Sequence, residues 1–120
     1  RPDYEDIAYK IVDAFAYNLN RSSTGSSMLL QAISLMEEPF HEVIIVGDEN
    51  KSSDLISFIQ KHSQPNKIMI YSDGVKNHEM FSFLDFYKSK ENGDPLVYVC
   101  QNYSCKLPTD DIKILEGLLK

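Results

Sequence analysis

Residues 43–46, Val-Ile-Ile-Val, constrain this chain more than any other stretch. The run is short, unbroken and entirely β-branched, and it stops at Gly47-Asp48. It does not alternate as a half-exposed strand would, and it is too short for a buried helix. It therefore reads as a strand covered on both faces, the pattern of a parallel strand in an α/β sheet. Such a strand needs neighbours along both edges and helices over both faces, so the rest of the chain must supply them. The candidates follow in order. Lys51-Ser52-Ser53-Asp54 offers a helix start, with Ser52 or Ser53 as the cap, and Leu55, Ile56 and Ile59 carry that helix to about His62. Pro65-Asn66 turns the chain, and Lys67-Ile68-Met69-Ile70-Tyr71 reads as a second strand, completing a βαβ unit expected to cross over right-handed.

Beyond it, Asn77 is expected to cap a helix carrying Met80, Phe81, Leu84, Phe86 and Tyr87, with the aromatic residues Phe81, Phe83, Phe86 and Tyr87 packed on the sheet. Asn92-Gly93-Asp94-Pro95 is a turn, and Leu96-Val97-Tyr98-Val99-Cys100 a third strand. Pro108-Thr109-Asp110-Asp111 opens a last helix, with the two acids in its first turn and Ile112, Leu115, Leu118 and Leu119 facing inward. Upstream, residues 3–20 read as a helix capped by Asp3, with an Ile7, Ile11, Phe15, Leu19 stripe that Ala8, Val12, Ala14, Ala16 and Tyr17 widen well beyond one face. A polar break at 20–27 precedes a second helix bearing Leu29, Ala32, Ile33 and Met36, which Glu37-Glu38-Pro39 ends. The reading is thus an α/β chain: a helical hairpin over 1–38, then an α/β domain over 39–120. Its small, mostly parallel three-stranded sheet takes the order 2-1-3, flanked by helices, with the most apolar strand in the centre.

Charge and ends exclude several classes. Asp+Glu exceed Lys+Arg by 18 to 12, a net charge of −6, which argues against phosphate-backbone binding. No apolar run approaches the roughly 20 residues a membrane helix needs. The chain opens at Arg1-Pro2-Asp3 without a methionine and without a charged leader before an apolar stretch, so it is expected to be a piece cut from a longer protein, with no signal peptide. Two cysteines are too few for a disulfide framework and fit a cytoplasmic origin.

Three stretches carry a resemblance: Pro39-Phe40-His41-Glu42-Val43-Ile44-Ile45-Val46-Gly47-Asp48, then Val97-Tyr98-Val99-Cys100-Gln101-Asn102-Tyr103-Ser104-Cys105-Lys106-Leu107-Pro108, then the closing helix. Together they resemble the extreme C-terminus of the spermatogenesis-associated, thioredoxin-domain-containing protein family. The resemblance implies a thioredoxin-like N-terminal domain followed by a helical barrel similar to N-acylglucosamine 2-epimerase. Residues 1–38 would then be the barrel's last helices. It also implies that the reactive motif and the sugar-type pocket lie elsewhere, since this chain has no Trp and only the barrel's tail.

The candidate sites are few. Cys100 ends an apolar strand and Cys105 follows in a loop, so two unpaired structural thiols are the leading expectation. A loop of that length also permits a dithiol switch, or a resolving pair for the thioredoxin-like domain that the resemblance implies, and Lys106 and a nearby helix start would favour thiolate. Zinc wants four ligands at characteristic spacing; Cys-x4-Cys and the scattered His41, His62 and His78 do not ask for it, and no metal or cofactor is expected. Gly47, Asp48, Ser52 and Ser53 form a strand-to-helix loop at the edge where doubly wound folds bind ligands, a weak anion-site candidate because no glycine-rich phosphate motif is present and Asp48 and Glu49 would repel phosphate. The functional expectation is a non-catalytic structural or interaction domain of a larger protein. Its partners would be the remaining domains, or a second copy through residues 3–20. The alternatives are a dithiol redox module and part of a sugar-active enzyme whose active site lies outside this chain.

Overall fold

The computed structural model describes residues 2–37, 40–63, 66–75 and 79–119, and the chain divides into two units, Arg1–Glu38 and Pro39–Lys120. The first unit holds α1 (Pro2–Arg21), a 3-10 turn (Thr24–Ser26) and α2 (Ser27–Glu37). Helix α1 starts before Asp3, so Asp3 is not its cap but joins Glu5 in the first turn, with the helix dipole. Pro2 at the helix start costs nothing, because its missing N–H would have had no partner there. Neither helix contributes a buried residue among those described. The stripe read from the sequence is present, but Ile7, Ile11 and Phe15 are 51%, 47% and 49% exposed.

The second unit is built on a four-stranded mixed sheet of order β2-β1-β3-β4: β1 (His41–Val46), β2 (Lys67–Ser72), β3 (Leu96–Gln101) and β4 (Ser104–Cys105). The β-branched run does sit in the middle, between β2 and β3. The three-stranded, mostly parallel sheet is corrected, however. Only β1 and β2 are parallel, His41 pairing with Lys67 through Val46 with Ser72; β3 runs antiparallel to β1, Glu42 opposite Cys100 and Val46 opposite Leu96. The chain enters β3 at Leu96 alongside Val46, the end of β1, and so runs back along it. A fourth strand appears because Asn102 and Tyr103 both take positive φ, 51° and 62°. That is the geometry of a two-residue hairpin turn, and it folds Ser104-Cys105 back onto β3.

Alternation along the strands then sorts the core. Val43 and Ile45 of β1 with Val97 and Val99 of β3 meet Leu55 and Ile59 of α3 (Glu49–Lys61) and Leu115 and Leu119 at α4 (Ile112–Leu118). On the opposite face Ile44 and Val46 pack with Leu84, flanked by Ile70, Tyr87 and Tyr98. The layer there is a kinked 3-10 segment, Glu79–Phe86, not the α-helix expected; Asn77, its expected cap, lies outside the described residues. Phe81, Phe83 and Phe86 do not cover the sheet but are 47%, 44% and 84% exposed, leaving Leu84 and Tyr87 to do so.

Two helix starts are corrected as well. Helix α3 begins at Glu49 and is capped by Asp48, whose Oδ1 accepts from the N–H groups of Asn50 (3.0 Å) and Lys51 (3.3 Å). Ser52 and Ser53 lie inside the helix and donate to the Asp48 and Asn50 carbonyls. Helix α4 starts only at Ile112, because Thr109 is held to Val97 by two backbone hydrogen bonds of 2.8 and 3.0 Å. Asp111 caps it through Lys113 N–H (2.8 Å), and Ile112 is exposed rather than inward.

Candidate functional site

The tip of the β3–β4 hairpin brings the two cysteines together. The backbone bond from Lys106 N–H to Val99 O brackets them on one side and the turn on the other. Cys100 and Cys105 are therefore a directly opposed, non-hydrogen-bonded pair, the position where side chains on neighbouring strands come closest. They form a disulfide, Cα atoms 3.9 Å apart. The expectation of two unpaired thiols is thus corrected: the turn that the sequence concealed is what aligns them. Their surroundings differ sharply. Cys100 is 2% exposed, whereas Cys105 stands open on the edge strand. The Tyr87 hydroxyl lies 3.8 Å from Cys105 Sγ and 4.0 Å from Cys100 Sγ. Disulfide sulfurs carry no proton, so the hydroxyl is the donor. Tyr87 is itself held edge-on against Tyr98, 4.9 Å between ring centroids, and the Tyr98 hydroxyl donates to the Lys88 carbonyl at 2.8 Å. Lys106 flanks the pair in sequence, but it lines a small cleft with His41, Val99, Gln101, Ser104 and Leu118, on the α4 side of the sheet.

The strand-to-helix loop is differently built. Gly47, Asp48, Ser52 and Ser53 do gather at the end of β1, but the residues 92–95 close over them. Asp48 N–H donates to Gly93 O at 3.0 Å, and Lys51 Nζ bridges Asn92 O (3.0 Å) and Asp94 Oδ1 (2.8 Å). A Cβ on Gly47 would lie 2.6 Å from Pro95 Cα, so only glycine lets the two segments meet. The Asp48 carboxylate already occupies the N–H groups that would greet a phosphate. Charge pairing is local: the Lys51 hydrogen bond holds Asp94 below the usual carboxylate range and Asp94 in turn raises Lys51, while Lys90, 2.7 Å from Asp110, lowers that acid likewise. Tyr71 donates to Gly47 O at 2.9 Å, and burial, then the neighbouring acids Glu49, Asp73 and Asp48, push its phenol up.

The histidines sit on separate elements. His41 opens β1 and is buried; His62 caps the end of α3 with its ring 6.2 Å from that of Phe58; His78 lies outside the described residues. Lys67, lowered by burial, donates to the Ile59 and His62 carbonyls at that helix end. Among the described residues no three His, Cys, Asp or Glu side chains gather as a metal site would require, and no helix is long and apolar enough to cross a membrane.

Comparison with known proteins yields a distant similarity. No family model and no solved structure matches the chain. Spermatogenesis-associated protein 20 of Homo sapiens is 24% identical to it over 121 residues, spanning 98% of this chain. The chain spans about 15% of that protein's length. The similarity supports a distant resemblance to that family and is consistent with a domain of a larger protein.

Proposed function

We propose that this chain is a non-catalytic structural and interaction segment near the C-terminus of a larger cytoplasmic protein. Its helices 1–38 complete a helical barrel, and its α/β unit packs against that barrel. The observation behind this is the apolar stripe of α1. Among the described residues α1, 20 residues long, leaves about half of Ile7, Ile11 and Phe15 exposed, whereas α3 buries Leu55 and Ile59 in the core of the second unit. An open groove between Ile11, Phe15, Met28 and Leu29 continues the same apolar surface. Contiguous apolar surface of this kind marks a partner site. The partner is the rest of the same polypeptide, and any thioredoxin-like or sugar-directed chemistry resides there.

The test places a photo-crosslinking amino acid at Ile11 in the long polypeptide that carries this segment. Intrachain crosslinks to residues upstream of the segment are expected. Crosslinks only to a second copy, or none at all, would overturn the reading.

A further inference from the structure

We infer that the Cys100–Cys105 disulfide is a thiol-exchange site that opens from one side: a small thiol of the glutathione class attacks Cys105 Sγ, forms a mixed disulfide there and releases Cys100. The inference is independent of the interaction role of α1. Displacement at sulfur runs in line with the bond being broken, so the attacked sulfur must be reachable from solvent. Cys105 meets that demand. It lies on a two-residue strand at the edge of the sheet that the described residues form, and its residue is exposed. Cys100 does not, being 2% exposed between β1 and β4.

The leaving sulfur also has a donor within reach, a hydroxyl that lies near both sulfurs. As the thiolate's electron pair forms the new bond to Cys105 Sγ, the old S–S pair passes to Cys100 Sγ. The Tyr87 hydroxyl, 4.0 Å away, donates to that developing thiolate, which then takes a proton from solvent. A lower-pKa sulfur leaves faster, so this donor assists opening. A second small thiolate attacking the outer sulfur of the mixed disulfide frees Cys105. The balance is two small thiols consumed, one small disulfide and one protein dithiol formed. The hairpin that carries this site also supplies Gln101, Ser104 and Lys106 to the small cleft on the opposite face, so a thiol adduct on Cys105 alters the strand that walls it.

The test incubates the 120-residue chain with glutathione at graded ratios of reduced to oxidised form, quenches with acid and alkylating reagent, and maps the adducts by peptide mass spectrometry. The mixed disulfide is expected on Cys105. In the single-cysteine variants, Cys105 of Cys100→Ser is expected to react with oxidised glutathione about tenfold or more faster than Cys100 of Cys105→Ser. Tyr87→Phe should slow opening of the disulfide with the adduct still formed on Cys105 and the far-ultraviolet circular dichroism of the chain unchanged, a combination that a merely structural role would not produce. Adduct on Cys100, equal rates for the two variants, or no opening in fully reduced glutathione would each overturn the inference. Should a variant fail to fold, adduct mapping on the unsubstituted chain decides it.

Discussion

Two glycines separate close approach from spare room, and alanine at each should move stability in opposite directions. At Gly47 the added Cβ would stand 2.6 Å from Pro95 Cα and 3.0 Å from its N and Cβ. Carbon atoms rest comfortably at about 3.5–4.0 Å, so the end of β1 and the 92–95 segment would have to part by roughly an ångström. Three hydrogen bonds resist that movement: Asp48 N–H to Gly93 O, Gly47 N–H to Ser72 O, and the Tyr71 hydroxyl to Gly47 O. Overpacking of this kind costs about 1–3 kcal/mol, partly offset by the roughly 0.4–1 kcal/mol that alanine gains by restricting the unfolded chain. The middle of those ranges leaves a net loss of about 1.3 kcal/mol, which lowers the melting temperature of a unit this size by roughly 5–10 °C. Pro95→Ala should not rescue it, because the nearest atom belongs to the backbone. At Gly117, exposed within α4, an added Cβ meets nothing within 4 Å, so Gly117→Ala should stabilise by about 0.5–1 kcal/mol. The assay is thermal unfolding followed by near-ultraviolet circular dichroism, which reports Tyr71, Tyr87 and Tyr98 in a chain without Trp. A Gly47→Ala variant as stable as the parent, or a destabilised Gly117→Ala, would refute the packing argument.

Two further outcomes are expected. Leu115→Ala, emptying a site with 0% exposure, should cost about 2–5 kcal/mol, whereas Ile11→Ala on the exposed stripe of α1 should stay within about 0.5 kcal/mol in the isolated chain; denaturant titration of both variants checks the contrast. Asp94 and Asp110 are lowered in the folded state by Lys51 and Lys90, so their pairing supports folding above the ordinary carboxylate pKa of about 4 and loses that support as pH falls through the lower folded values. Asp94→Asn should flatten the acid limb of the stability profile, and raised salt should shrink the difference, as both pairs are solvent-exposed.

Much of the α/β unit was legible because burial on both faces leaves a signature. The β-branched run of β1 announced its central place, and the first three strands follow the order 2-1-3. Strand direction was not legible. Leu96–Cys100 is as apolar as a parallel strand, and the stretch from 73 to 95 is long enough to hold a crossover helix, so composition gave no sign that β3 would return antiparallel. The hairpin stayed hidden because Asn102-Tyr103 lacks the glycine that usually marks a two-residue turn; Tyr103 accepts the left-handed conformation with its side chain wholly in solvent. With the turn unseen, the cysteines were placed five residues apart in sequence and not opposite one another in a ladder. The caps were missed for a related reason. The sequence reading leaves Asp48 in the strand-to-helix loop and gives the cap to Ser52 or Ser53, although a carboxylate there serves α3 better than the serines that follow it. At α4, the pairing of Thr109 with Val97 is a long-range contact that no local propensity predicts.

The mixed sheet also sets the order in which the unit can assemble. Strand β1 finds β2 after a single helix, but its other neighbour arrives much later: fifty positions separate Val46 from Leu96, its antiparallel partner. Closing so long a loop must be met entropically before any β1–β3 bond repays it, which slows the step relative to local pairing. Until then the most apolar strand of the chain has one bare edge, the template onto which another chain's strand adds most readily. The late arrival of residues 96–101 is therefore what decides between folding and aggregation during synthesis or refolding, and a chain truncated before Leu96 is expected to be insoluble while retaining every residue of its βαβ unit.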